Sequence, residues 1–266
     1  MSRATYLYCL VRPNAAPPPL EGVPPGLPGC APPRLLDLKA ASGGLWLVVA
    51  DAPLPGYGGE EIQRHLQDLA WVSERALAHE AVVEHFLAAG TVVPMKLFTL
   101  FAGDERAAAY VRGEGERLER VLARIDGCLE WGVQVRLDEA RAREVVAAEA
   151  RSESGRHHLP GTGKGFLLRK KMEQEGARTL AERLRSEAGE TFTALAAHAS
   201  GAIRREPPTP EAAGRMLLDG AFLVPRERSD AFEGEVARAA ERLAGRACEL
   251  TLTGPWPPYN FLEEGR

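Results

Sequence analysis

Leu129-Glu130-Trp131-Gly132-Val133-Gln134-Val135-Arg136-Leu137 is the stretch on which the fold turns. Leu129, Trp131, Val133, Val135 and Leu137 share one parity, while Glu130, Gln134 and Arg136 share the other. Side chains along a strand alternate between faces, so this reads as a strand with one covered face. A long charged stretch of helical character follows, to about Ser200. Asp138 is placed to cap its first helix. Ser152 to Gly163 reads as a polar loop, and a second helix then carries Leu180, Leu184, Phe192 and Leu195 on its apolar stripe. Gly176 and Gly189 are expected to bend or divide it.

Ala202-Ile203-Arg204-Arg205 is a short strand and Met216 to Pro225 a longer one, with a bulge expected at Gly220. Asp230-Ala231-Phe232-Glu233 resembles a capping box, and Phe232, Val236, Ala240 and Leu243 follow at helical spacing. The last strand, Cys248-Glu249-Leu250-Thr251-Leu252-Thr253, alternates cleanly. From residue 129 the order is strand, helices, strand, strand, helix, strand. That βαββαβ order is the ferredoxin-like unit, with a helical insertion at about 138–200.

Upstream, Tyr6-Leu7-Tyr8-Cys9-Leu10-Val11 is apolar throughout and reads as a central strand. Residues 13–33 hold nine prolines, which excludes helix and sheet and predicts a poorly ordered surface loop. Leu35 to Ala40 and Leu45 to Val49 form a hairpin across Ser42-Gly43-Gly44. Glu60 to Ala89 is helical, with Ile62, Leu66, Leu69, Leu77, Val82 and Phe86 as its apolar stripe, a division near Ser73 and Gly90 as C-cap. Val92 to Phe101 reads as a fourth strand, its Pro94 favouring an edge or the strand start. Asp104 is expected to cap a helix running to Ile125.

The chain is therefore α+β, with two domains. An N-terminal α+β domain covers 1–126, a ferredoxin-like domain 127–254, and a tail 255–266. The tail, Gly254-Pro255-Trp256-Pro257-Pro258-Tyr259-Asn260-Phe261, holds three aromatics and three prolines. Rings of that size seek burial and proline keeps the backbone extended, so the tail reads as a strap or as a docking peptide.

The 266 residues carry a formal charge of −4, which gives no basic excess to attract nucleic acid or anionic lipid. Apolar runs fall well short of the roughly 20 residues of a membrane span. The first residues resemble no signal peptide, so the cytoplasm is the expected location. Cys9, Cys30, Cys128 and Cys248 form no CxxC pair and are read as reduced.

Three motifs suggest chemistry. Gly161-Thr162-Gly163-Lys164-Gly165 looks like a phosphate loop, but residue 158 is His, residue 165 is Gly, and no apolar strand leads in. His79 and His85 lie six apart, about 600° on a helix, so their rings diverge and the zinc-protease pattern fails. Arg169-Lys170-Lys171, with Lys164, Arg178, Arg183 and Arg185, makes a basic helix face interleaved with Glu173, Glu175, Glu182 and Glu187. It reads as a solvated face or as a surface for an acidic protein partner; without an aromatic platform, nucleic acid is disfavoured. No catalytic set, cofactor site or metal site is found by spacing.

Several segments together resemble the gas vesicle protein family of GvpF and GvpL. They are Tyr6 to Val11, Pro53-Leu54-Pro55-Gly56-Tyr57, His79 to Glu84, Val93-Pro94-Met95-Lys96, Glu130 to Val135, Gly161 to Lys171 and, most specifically, Gly254 to Phe261. The family commonly follows its Pro-x-basic with Phe-Gly-Thr, where this chain has Leu97-Phe98-Thr99. The resemblance implies a non-enzymatic accessory or minor structural protein of gas vesicles that assists assembly of the hydrophobic shell protein. It implies partners among the shell protein and other gas vesicle accessory proteins, no nucleic acid and no membrane. It also implies a tail packed between the domains through Trp256, Tyr259 and Phe261. Lys96, Phe98, Arg169, Lys170 and Lys171 are the candidate partner-binding residues, on an exposed strand edge and a basic helix. A small-molecule sensor or regulatory module is the alternative, by analogy with other ferredoxin-like domains. A nucleotide-dependent enzyme using Gly161 to Lys164 is a further rival.

Overall fold

The computed structural model describes residues 3–15, 17–38, 44–157, 163–206 and 216–263, with backbone alone for 150, 153–157 and 163–169. The chain is mixed α+β, with two sheets and eight α-helices among the described residues. It divides into two compact units, Met1–Leu129 with Trp256–Arg266, and Glu130–Pro255.

In the first unit, β1 (Arg3–Pro13) is the centre of the sheet. Tyr6 to Val11 are wholly buried, as an apolar run covered on both faces requires. β2 (Arg34–Asp37) pairs antiparallel with β3 (Trp46–Pro53), and β3 pairs antiparallel with β1. The hairpin turn at 39–43 lies outside the described residues. The expected strand 92–101 is two strands, β4 (Gly90–Pro94) and β5 (Leu100–Phe101), both paired with β1. A turn separates them, closed by the Thr99 N–H on the Lys96 carbonyl at 3.2 Å. Phe98 takes a left-handed φ of 65° there, which no continuing strand permits.

The helical region also breaks differently. α1 (Leu54–Tyr57) and α2 (Gly59–His65) precede α3 (Leu69–His85). The division falls at 66–68, because the Asp68 carboxylate caps the Ala70 and Trp71 N–H groups, both at 3.1 Å. Ser73 lies inside α3. Gly90 is the first residue of β4, not a cap. A side chain there would strike the Arg12 carbonyl and Pro13 Cα.

α4 (Asp104–Gly113) and α5 (Gly115–Ile125) complete the unit. Leu118, Val121, Leu122 and Ile125 are the buried stripe of α5. Asp104 does not cap α4, whose N-cap is Gly103. Its carboxylate instead accepts from Arg34 at 2.8 Å and from the Thr5 hydroxyl at 2.7 Å. The proline-rich loop departs from expectation too. Leu27 is buried in the core, its N–H donates to the Tyr8 hydroxyl at 2.9 Å, and the Tyr57 hydroxyl donates to the Pro28 carbonyl at 2.7 Å. Proline removes helix and strand without removing order, since buried tyrosines satisfy the loop's backbone.

In the second unit, β6 (Cys128–Leu137), β7 (Gly201–Arg204), β8 (Met216–Pro225) and β9 (Cys248–Trp256) form a sheet in the order β7-β8-β6-β9. α6 (Glu139–His157), α7 (Gly163–Ala196) and α8 (Ser229–Ala244) cross between strands. Trp131, Val133 and Val135 join Leu184, Leu195, Phe222, Phe232 and Val236 in one core. The other face of β6 is less open than its polar residues suggest, for Glu130 is buried and Gly132 is pressed against Thr253 Oγ1.

Asp138 caps α6, accepting from the Ala140 and Arg141 N–H groups at 3.1 Å. α7 runs unbroken for 34 residues through both glycines. Gly176 sits 3.4 Å from Val146 Cγ1 when given a Cβ, so it marks close packing of α6 on α7. No bulge appears at Gly220 in the β7–β8 register, which is continuous; a Cβ there would meet the Phe222 ring at 2.7 Å. α8 starts at Ser229 without a side-chain cap, so the capping box at Asp230 is not formed.

Candidate functional site

Three places in the first unit gather the residues that bear on function. The first is the end of the chain. Pro257, Pro258 and Phe261 are buried, and the Tyr259 hydroxyl donates to Glu80 Oε2 at 2.7 Å. Burial, and the Glu80 carboxylate beside it, hold the Tyr259 phenol far above its usual range. Arg124 donates to the Phe261 carbonyl, and also to that of Glu263 at 3.1 Å. Lys96, fully exposed, lies 3.7 Å from Glu263. Trp256 departs from this pattern: it ends β9 and is 37% exposed. The prolines, Tyr259 and Phe261 make the strap.

The second is a buried aromatic cluster on β1 and α3. The Tyr6 hydroxyl lies 2.7 Å from His79 Nδ1, and His79 Nε2 lies 3.1 Å from the Met95 carbonyl. A carbonyl only accepts, so the proton sits on Nε2 and Tyr6 donates to Nδ1. Tyr6 in turn accepts from the Phe98 N–H at 3.2 Å. Tyr8 stacks on the His79 ring. Burial lowers the His79 pKa to about 4, so the ring is neutral at physiological pH. Both ring nitrogens are engaged, and the cluster fixes the turn at 95–99 and the proline-rich loop. Phe98 is half-buried, leaning on Trp71 at 5.4 Å, and not displayed on an open edge.

The third was hidden inside an expected core stripe. Along α3, His79, Val82 and Val83 are buried, as is Phe86 at its C-cap. Leu69 is 79% exposed and Leu77 72%, with Leu66 at 44% just before. Leu77 and Phe86 are nine residues apart, about 900° of turn, hence on opposite sides of the helix. That angle was the available signal.

In the second unit, the basic face of α7 is a ladder of surface ion pairs. Lys171 pairs with Glu175 at 3.8 Å and Arg178 with Glu182 at 3.0 Å. The Arg169 side chain lies outside the described residues, as do Gly161 and Thr162 of the candidate phosphate loop. Its Gly163, Lys164 and Gly165 begin α7, and the described element before them is helix α6 and not a strand, so the setting of a phosphate loop is not found among the described residues. Lys170 is exposed at the rim of a groove of about 640 Å³ between α6 and α7, floored by Ala142, Val146, Ala177 and Leu180. A cleft between α7 and α8 holds Arg183, Arg242 and Arg246, but Arg246 pairs with Glu187 and Arg242 with Glu235. Among the described residues no group of three or more His, Cys, Asp or Glu is placed to hold a metal ion. Among those same residues no helix is long and apolar enough to cross a membrane.

Residues 4–263 match the family model of gas vesicle synthesis protein GvpL/GvpF. The chain belongs to that family. It is 31% identical to gas vesicle protein L of a Streptomyces species, over 97% of this chain and 92% of the relative. It is 28% identical to gas vesicle protein F of the same strain, over 98% of this chain and 100% of the relative. The crystal structure of GvpF from an Anabaena species superposes with a TM-score of 0.68 at 17% identity, covering 100% of both chains. That of GvpF from Microcystis aeruginosa gives 0.62 at 14% identity, over 98% of this chain and 99% of the other. These two likenesses concern the fold. The family places the chain's role with gas vesicles.

Proposed function

We propose that this chain assists assembly of the gas vesicle shell through protein–protein contacts and performs no catalysis. The observation that carries the reading is the family match over residues 4–263. The geometry agrees with it. The one buried histidine of the aromatic cluster spends both nitrogens on structure, and the surface offers exposed leucines and charge ladders. A shell subunit carries apolar surface before it assembles, and a partner that covers such surface prevents aggregation. Its partners are then the shell protein and other gas vesicle proteins, and its location is the cytoplasm and the gas vesicle.

The strand order β7-β8-β6-β9 supports a ferredoxin-like reading of the second unit, with α6 and α7 as the enlarged crossover. Lys96, Arg169, Lys170 and Lys171 remain proposed contacts. Phe98 is the least suited of the five, because a change there also disturbs Trp71 and the core. A pull-down of the full chain against each gas vesicle protein of its cell, the small shell protein included, tests the proposal. Specific capture of the shell protein is expected, weakened by charge reversal of Arg169, Lys170 and Lys171 to Glu. Capture of nothing would overturn the assembly role and leave the sensor reading standing.

A further inference from the structure

The exposed leucines of α3 fit no role in this chain's own packing. Leu69 and Leu77 lie eight residues apart, about 12 Å along the axis and about 80° around it, and both stand open to solvent. Ala70 and Ser73 between them are exposed and small, so the face is two apolar ridges with a shallow saddle. Ala81 continues the row toward the C-terminal end of α3, and Leu66, exposed as well, belongs to the end of α2. Leu69 and Leu77, at 79% and 72%, are the two most exposed large apolar side chains among the described residues, and one helix carries both.

What covers the face follows from backbone chemistry and charge. A helix spends its backbone groups internally, so it offers no ladder to an added strand; side-chain ridges are all it presents. A second helix laid along it, with anchors at i, i+3, i+4 and i+7, fills the saddle. Residues 54–80 carry five carboxylates, Glu60, Glu61, Asp68, Glu74 and Glu80, against two arginines. Both arginines are already engaged. Arg64 pairs with Glu61 at 2.6 Å. Arg75 pairs with Glu74 at 3.0 Å and its guanidinium lies 3.9 Å over the Trp71 ring. The same pairs occupy Glu61 and Glu74, Asp68 caps α3 and Glu80 accepts from Tyr259, yet five carboxylates against two arginines leave the segment at a formal −3, so a second copy of it would meet like charge.

We infer that the Leu69–Leu77 face of α3 docks an amphipathic helix of a partner protein, apolar on one side and flanked by lysine or arginine. The inference rests on the proposed role as a protein-binding assembly factor and names the surface and chemistry of one contact.

The test uses the full chain and two fluorescent helical peptides. One carries leucines at heptad spacing flanked by lysines, and its twin carries glutamates at the flanking positions. Anisotropy titration is expected to show binding of the lysine peptide, weakened by salt, and none of the twin. L69S/L77S is expected to lose at least tenfold in affinity, with an unchanged melting curve because both side chains are exposed. L69Q is the milder second variant, expected to lose part of the affinity. Equal binding by wild type and both variants would overturn the inference. So would equal binding of the two peptides, or a self-association of the chain that L69S/L77S abolishes. Shell-protein capture unchanged in L69S/L77S, with no peptide binding, would refute the face while leaving the assembly role intact. Leucine-dependent binding of the lysine peptide without shell-protein capture would uphold the face and strike the assembly role.

Discussion

The Tyr259 hydroxyl donates to Glu80 Oε2 at 2.7 Å across 179 residues of sequence. Glu80 is the neighbour in α3 of His79, whose ring is stacked under Tyr8 of the central strand. One helix thus bears the buried cluster on one side, receives the C-terminal strap, and shows its leucines to solvent.

Tyr259→Phe keeps the ring and removes the donor to Glu80. Its expected cost is about 1.5 to 3 kcal/mol, the usual worth of one hydrogen bond to a charged group. Urea unfolding measures the cost, and limited proteolysis near Trp256 reports release of the strap. Wild-type stability together with wild-type protease resistance would deny the bond any part in holding the tail.

His79 carries a pH dependence. Its folded pKa, about 4, lies below the unfolded value of 6.5. The folded state prefers the neutral ring, so its contribution is complete above pH 6.5 and is lost as pH falls toward 4. The loss is about 3 kcal/mol at most. His79→Leu is expected to flatten the stability profile between those two values, and to cost about 1 to 3 kcal/mol at neutral pH by orphaning the Tyr6 hydroxyl and Met95 carbonyl. Chemical unfolding at a series of pH values reads both, and an unaltered acid slope in the variant would clear His79 of the effect.

Gly90 and Gly59 form a matched pair. A Cβ at Gly90 strikes the Arg12 backbone, whereas one at Gly59 meets nothing within 4 Å. Gly90→Ala is expected to destabilise by about 1 to 3 kcal/mol through overpacking. Gly59→Ala is expected to be neutral or slightly stabilising. Melting temperatures of the two variants should separate by several degrees, in that order.

Gly189 lies inside the unbroken α7 with open space around its Cα. Gly189→Ala should therefore stabilise by about 0.5 to 1 kcal/mol, through lower chain entropy in the unfolded state. A thermal melt suffices to check it. Destabilisation would mean that the helix needs glycine's freedom there.

Some of the molecule was legible in residue order alone. The apolar run Tyr6 to Val11 announced a strand buried on both faces, because six apolar residues closed by Pro13 are short for a buried helix and rich in strand-forming side chains. The alternation at 129–137 and 248–253 announced two strands of the second sheet, and Asp138 its helix cap. These readings hold because parity and capping are local: the nearest neighbours in sequence decide them. The site was less legible. Leu69 reads as a core residue by apolar spacing, and only the angle between Leu77 and Phe86 sets Leu77 apart. A leucine is the same leucine on either side of a helix.

By itself the sequence determined the strands and helices whose patterning is local, the α+β class and the family signature of its segments. The tertiary structure decided what depends on distant partners. Tyr8 and Tyr57 order the proline-rich loop. Arg34 draws Asp104 away from capping. Phe98 turns the chain where a strand was expected, because Tyr6 holds its N–H. α3 has two apolar sides and one sheet to bury against, so the sheet takes Val82 and Phe86 and leaves Leu69 and Leu77 in water. The physical reason is common to all four: burial and hydrogen bonding are completed by groups tens of residues away, and their positions exist only once the chain has folded.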